Sequence, residues 1–264
     1  SFWNSVGVDN ATIDKRYSYK DEQGNDQVYN ANTRWYDHIM QFNNPQTQND
    51  LSIEGGSERV SYMVGAGQFH QRGAAIGNYF DRYNFRSNIS ARPKDWLRLG
   101  MNIALSYDNR QRNGDFGNSD RNASYLAGGL SFLISPLYPA IDPKTGKEYE
   151  KRYPGPNLTN PRYERRFYFD IYQRYGVLGN AFVELEPIKN LKIRTRVGTD
   201  MYFVRGNAEI KASYDFASQG QRRKNFSYGF TNTMTNTIEY AFNINDDHNF
   251  TVLGGHEGIK MSSD

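Results

Sequence analysis

Glu184 and Glu186 stand two positions apart, a spacing that puts both carboxylates on one face of a strand, where a glycosidase would hold its acid and base. Lys192, Arg194 and Arg196 follow with the same period on the next such stretch, so cross-strand ion pairs are the better use for those carboxylates. His38, His70, His248 and His256 show neither His-x-His nor His-Glu-x-x-His spacing and read as surface or turn residues rather than metal ligands. Asp108-Asn109 and Asn113-Gly-Asp115-Phe-Gly-Asn118-Ser-Asp120 carry oxygen ligands of the kind calcium takes, but without EF-hand spacing they read as a turn-rich loop. No Gly-x-Ser-x-Gly elbow occurs. With no cysteine there is no thiol nucleophile, disulfide framework or zinc-thiolate site. The expectation is therefore a protein with no catalytic residue, no metal and no cofactor.

The composition points to a sheet. Of 264 residues only 37% are apolar, yet 15% are aromatic, with 20 Tyr and 16 Phe, so large amphipathic rings replace much of an aliphatic core. The 32 Lys and Arg nearly balance 29 Asp and Glu, which argues against a dedicated nucleic-acid binder. No run approaches 18 apolar residues; this excludes a transmembrane helix but not a barrel, whose strands alternate.

That alternation is present. In 96–107, Leu97, Leu99, Met101, Ile103, Leu105 and Tyr107 alternate with small, polar or charged residues, and in 226–244 Phe226, Tyr228, Phe230, Met234, Ile238, Tyr240, Phe242 and Ile244 oppose a face of Ser, Gly, Thr and Glu. Strands are expected near 46–55, 58–70, 79–92, 95–109, 171–186, 190–204, 225–244 and 248–259. Short turns at Gly55–Glu58, Arg92–Asp95, Pro187–Asn190 and Asn245–His248 alternate with longer connections at about 70–78, 110–170 and 205–224. Short turns at one end and long loops at the other are the pattern of a transmembrane barrel, with the long loops outside. For the parity to hold, Tyr125–Ile134 is a short helix or apolar turn inside the 110–170 loop. Residues 1–45 form an approach to the barrel, in which Thr33–Met40 makes one or two helical turns, and 46–264 form the sheet.

On the polar face of these strands fall Arg82, Arg86, Arg98, Glu184, Arg194 and Arg196, the charges expected to face the lumen. They either steer an anionic solute or pair with carboxylates of a plug. In the 110–170 loop, Tyr125, Phe132, Tyr138, Tyr149, Tyr153 and Tyr163 suit two readings that stay open: rings that contact substrate or a lid, or rings that pack on one another.

Several stretches resemble a known family. Asn32-Thr-Arg-Trp-Tyr-Asp37, Gln46-Thr-Gln-Asn-Asp-Leu-Ser-Ile-Glu-Gly-Gly-Ser-Glu58 running into Tyr62, Gly65, Gln71 and Gly73, Arg82-Tyr-Asn-Phe-Arg-Ser-Asn88, Asp95-Trp-Leu-Arg-Leu-Gly-Met-Asn102 and Glu186-Pro-Ile-Lys-Asn-Leu-Lys192 are, in order and spacing, similar to SusC/RagA-like TonB-dependent outer-membrane transporters of Bacteroidetes. The resemblance covers 32–200; beyond 200 only the alternation continues. It implies an all-β fold, an antiparallel meander of about eight long strands forming part of a 22-stranded transmembrane barrel in the bacterial outer membrane. It also implies import of oligosaccharides or oligopeptides, with a plug, the rest of the barrel, a SusD-like surface lipoprotein, the TonB complex and outer-membrane lipid as partners.

Eight strands in roughly 215 residues scale to about 600 residues for the full barrel. The start at Ser1-Phe2-Trp3-Asn4 and the lack of a terminal aromatic after Met261 then suggest a piece of a longer chain. Two rivals make different demands. A complete eight-stranded outer-membrane barrel with a structural or adhesive role would pair its first and last strands, and a soluble carbohydrate-binding sheet protein would show no continuous apolar belt.

Overall fold

The computed structural model describes residues 17–20, 23–112, 134–150, 153, 160–164, 166–212, 219–245 and 248–264. A small hairpin, β1 (Ser18–Lys20) with β2 (Asp26–Val28), and a short helix α1 (Trp35–Ile39) precede the main sheet. The sheet contains β3 (Gln46–Gly56), β4 (Val60–Arg72), β5 (Tyr79–Lys94), β6 (Leu97–Arg112), β7 (Tyr168–Ile188), β8 (Leu191–Ile210), β9 (Gln221–Ile244) and β10 (His248–Ser263), with a single helical turn α2 (Pro161–Glu164) before β7. The eight strands pair antiparallel, each with its sequence neighbour, in the order β10-β9-β8-β7-β6-β5-β4-β3. The sheet is open. β3 and β10 are its two edges and do not pair with each other, which is the opposite of what a complete eight-stranded barrel requires.

Consecutive pairing puts every short connection at one end and every long one at the other. The tight hairpins share a device: Pro93 and Pro187, which cannot donate to a ladder, sit within the register shifts Ala91/Lys94 and Leu185/Ile188, each followed by a two-residue turn. Asn190 and Asn245 close turns of this end with φ of 69° and 58°, the left-handed region that Asn tolerates best after Gly.

At the long-loop end the strands run further than the alternation predicts. β8 and β9 stay paired up to Ile210↔Gln221, so the connection expected over 205–224 shrinks to 211–220. β6 continues to Arg112, and β7 starts at Tyr168. The start of β9, Gln221 to Asn225, is polar on both faces, and there cross-strand hydrogen bonding extends the ladder without an apolar pattern to announce it. The helix expected within Thr33–Met40 is α1. Most of the apolar segment Tyr125–Ile134 lies outside the described residues.

Burial on the sheet is inverted relative to a water-soluble fold. Leu51, Val197, Met234 and Val252 are 70, 50, 49 and 62% exposed, whereas Ser87, Asp108, Asp170 and Glu184 on the strands are buried. The apolar face is continuous from Leu51 and Ile53 on β3 through Phe85, Ile89, Met101, Leu105, Val183, Ile193, Val197, Met234 and Ile238 to Val252 on β10. One register row of this face runs Tyr83, Tyr107, Tyr175, Phe203 and Tyr228 across five neighbouring strands near the long-loop end. Tyr62, Trp96, Tyr240, Phe242 and Phe250 gather near the short-turn end. From Tyr228 to Tyr240 the strand advances twelve residues; at about 3.3 Å each and a tilt of about 45°, the two aromatic bands stand roughly 28 Å apart, close to the height of a barrel's apolar belt. A soluble sheet protein has no use for such a belt.

Candidate functional site

The polar face carries two arrangements of arginine that differ in kind. Near the short-turn end, Arg98, Glu184 and Arg194 occupy one cross-strand row on β6, β7 and β8. Arg194 donates from Nε to Glu184 Oε2 at 2.7 Å and also from Nη2 to the same oxygen, while Arg98 Nη1 lies 3.3 Å from Oε1. Glu184 is buried, and both its oxygens are engaged. Beside this node the Phe182 ring lies flat over Gly100, where a Cβ would stand 2.1 Å from a ring carbon, so only glycine admits it. The guanidinium groups of Arg194 and Arg196 lie 5.1 and 6.0 Å from the centre of that ring. Glu186 takes no part in the node; its Oε1 accepts from the Asn190 backbone N–H at 3.1 Å, and Lys192 reaches Glu239 at 3.6 Å. Glu184 and Glu186 are thus committed to different partners rather than to each other.

The node supports the sheet. Glu184→Gln should lower stability by about 1.5–3 kcal/mol, the worth of hydrogen bonds to a charged group, and a downward shift of the heat-induced loss of compact electrophoretic mobility is the measurement.

Towards the long-loop end the arginines are held chiefly by rings. Arg82 makes a two-point contact with Asp108, Nε to Oδ1 at 2.7 Å and Nη2 to Oδ2 at 3.3 Å, with its guanidinium 5.1 Å from the Phe80 ring centre. Arg110 stacks 4.1 Å over Tyr172, and Arg174 lies 5.5 Å over Tyr202. The Tyr202 ring is in turn laid across Gly229, where a Cβ would come within 2.6 Å of it. Among the described residues neither Arg110 nor Arg174 has a carboxylate within ion-pair distance. Arg86, on the same face, is exposed and likewise has no ion-pair partner among them. The sequence singled out Arg82, and Asp108 as an oxygen ligand of a turn-rich loop rather than a strand residue paired with that arginine, but not Arg110, Arg174, Tyr172 or Tyr202, which share the polar-face parity of β6, β7 and β8.

The loop aromatics form a small core. Tyr138, Tyr149 and Tyr153 are buried together with Tyr17, Tyr29, Trp35, Ile134 and Ala140. Tyr138 and Tyr153 stack at 4.7 Å, and so do Tyr149 and Tyr153 at 4.9 Å. Tyr153 donates to the Pro139 carbonyl at 2.6 Å, Trp35 Nε1 donates to the Ser135 carbonyl at 3.0 Å, and the Tyr29 and Tyr149 hydroxyls share a hydrogen bond of 2.7 Å. Backbone bonds from Ala31 to Leu137 and from Thr33 to Pro136 sew the N-terminal segment to the loop. Glu148 joins Arg162 at 2.7 Å and Arg166 at 2.6 Å on the rim.

For Tyr138, Tyr149 and Tyr153 this burial supports the second of the two readings, rings that pack on one another. Tyr163 is half-buried and packs against Phe167 at 5.1 Å. Tyr125 and Phe132 lie outside the described residues. Burial pushes the hydroxyl pKa of Tyr29, Tyr149 and Tyr153 upward, helped at Tyr29 by its hydrogen bond to Tyr149. Their contribution to folding is complete below the ordinary tyrosine range near 10 and is lost as pH rises above it. Burial, and after it the nearby Arg162, lowers the pKa of His38, so its contribution is present above about 6.5 and lost as pH falls.

The capped end is tied to the sheet through α1. Gln41 donates from its backbone to Ala74 and from its side chain to the Gly73 carbonyl, and Ile76 donates to Ile39, so residues 39–41 clamp the β4–β5 connection. No group of three or more metal-ligating side chains occurs among the described residues. No described helix is long and apolar enough to cross a membrane, which says nothing about strands.

No protein-family model matches the chain. Over 244 residues it is 26% identical to the TonB-dependent receptor P26 of Formosa agariphila, a match taking in 91% of this chain and 23% of that protein. It is similar to the solved RagAB peptide importer in the closed-closed state, with a TM-score of 0.71 and 26% identity over 89% of this chain and 27% of that one. In the open-open state of the importer the figures are 0.72 and 28%, over 87% and 25%. The chain thus spans about a quarter of the length of the relatives it matches. The resemblance to SusC/RagA-like TonB-dependent transporters, carried in the sequence by residues 32–200, extends over about nine-tenths of the chain. The open eight-stranded sheet is similar to part of such a barrel, and the similar proteins are a receptor and an importer.

Proposed function

We propose that the chain builds part of the wall of a TonB-dependent nutrient importer in the bacterial outer membrane. The observation that carries this reading is the inverted sheet: a continuous exposed apolar face bounded by two aromatic bands, backed by a polar face that carries the arginines and their ion-pair and ring contacts. The apolar face meets lipid, and the polar face borders the path of the solute. Energy arrives through the TonB complex acting on a plug. The long-loop end faces outward, where the cap packed around Tyr29, Trp35, Tyr138, Tyr149 and Tyr153 offers a surface to a SusD-like lipoprotein lid. The solute is an oligopeptide or an oligosaccharide, and the name of the RagAB importer favours the peptide.

The turn at Gly146 tests the topology. It has φ of 68° and open space around it, so a short epitope fits there without disturbing the cap. In intact cells the inserted epitope should bind antibody from outside, without permeabilisation. Binding that needs an opened outer membrane reverses the orientation and removes the long-loop end from any contact with lid or incoming solute.

A further inference from the structure

We infer that Arg110 and Arg174, flanked by Arg82, form a carboxylate-recognising wall, so that the solute carried past it is an oligomer bearing carboxylate groups. This rests on the importer reading and adds the chemistry of its cargo. The contrast between the two arginine arrangements carries the inference. At the short-turn end Arg98 and Arg194 close on Glu184 from both sides, and the charge is spent inside the protein. Near the long-loop end Arg110 and Arg174 are fixed through the faces of their guanidinium groups, by Tyr172 and Tyr202, without a carboxylate among the described residues.

A guanidinium seated on a ring keeps its orientation while its N–H edge stays open, which is the geometry for gripping a carboxylate at two points. Tyr202 is itself pinned by Gly229, so the seat is rigid before any ligand arrives. Arg82, Asp108 and Arg174 share one cross-strand row, which places Arg82 and Arg174 about 10 Å apart at strand spacing, with Asp108 committed to Arg82. Beside Arg82 a hollow lined by Phe69, Phe80, Gln48, Gln71, Asn84 and the carboxylate of Asp50 continues the wall. A solute carboxylate on the arginines places a neighbouring amide N–H or hydroxyl where Asp50 can accept from it. The acid can be a glutamate of a peptide or a uronate of a glycan; the recognised chemistry is the same.

The test uses the full-length protein that carries this segment, purified in detergent, and two matched probe pairs. These are N-acetylated, C-amidated Gly-Gly-Glu-Gly-Gly against its glutamine counterpart, and trigalacturonate against its methyl ester, with affinities measured by titration calorimetry. The acidic member of at least one pair should bind about tenfold or more tightly than the neutral one. The double substitution Arg110→Gln and Arg174→Gln should reduce that ratio about tenfold, whereas Arg110→Lys with Arg174→Lys should retain part of it. Which pair shows the preference distinguishes peptide from glycan.

Equal affinity within both pairs overturns the inference, as does an unchanged ratio in the glutamine variant or an absence of binding by every probe. A wall already neutralised by another part of the protein gives the first of these results, together with a lowered melting temperature in the variant. The importer reading is judged separately by the Gly146 epitope, since outward exposure without carboxylate preference removes only the anion site.

Discussion

Met234→Arg should block assembly of the sheet into the membrane, costing about 2–4 kcal/mol, because Met234 lies midway between Tyr228 and Tyr240 on the apolar face. In register it faces Val197 on one side and Gly258 on the other, so no carboxylate stands opposite to accept the new charge. An arginine there must leave its guanidinium in hydrocarbon or drag water inward, and near the midplane the nearest polar layer is more than a side chain away. Thr235→Arg, one position along, turns the same group onto the polar face, where Thr235 now donates to Glu257 at 3.0 Å and that carboxylate would pair with it. The amount of folded, heat-modifiable protein recovered from outer membranes should fall severely for Met234→Arg and little for Thr235→Arg. Equal recovery of the two variants refutes the assignment of the faces.

Tyr153→Ala should open the cap, at a cost of about 3–5 kcal/mol to the local structure, in the range for removing a buried aromatic ring. Tyr153 is fully buried and stacks with Tyr138 and Tyr149, and its hydroxyl serves the Pro139 carbonyl, so truncation removes ring contacts and strands an acceptor together. The sheet has its own ladders and should survive. Limited proteolysis should therefore cut within 134–150 in the variant while the strands remain protected. Tyr153→Phe, which keeps the ring, should lose only about 1 kcal/mol. A pH titration separates the same region: tyrosinate absorbance from the cap should appear only when it opens above the ordinary tyrosine range, and in Tyr153→Ala that opening should move to lower pH. A cap equally resistant to protease with alanine at 153 contradicts the view that these rings form its core.

The alternation of Leu97 to Tyr107 and of Phe226 to Ile244 was enough to assign both faces, because successive side chains of a strand point to opposite sides whatever the strand pairs with. Turn residues located the hairpin ends for the same local reason: Asn190 tolerates a positive φ, and Pro93 and Pro187 are admitted where the ladder shifts. The far ends of β8 and β9 were not legible, since residues beyond Arg205 carry no apolar period and their pairing is decided by the neighbouring strand.

Partner choice on the polar face was only half legible. Period two aligned Glu184, Glu186, Lys192, Arg194 and Arg196 on one face, but the register alone sent Glu184 to Arg194 and Arg98, Lys192 to Glu239, and Arg196 onto Phe182.

The sequence by itself determined the two-sided sheet, its approximate strand limits and the polar and apolar character of each face, all of which follow from residues close together in the chain. Only the tertiary structure decided that Tyr29 and Trp35 share a core with Tyr138 and Tyr153, more than a hundred residues away, and that among the described residues Arg110 and Arg174 lack the carboxylate that Arg194 has. Loop segments have no repeating geometry that fixes where their side chains point, so a contact between two of them becomes defined only when the strands on either side bring their ends together.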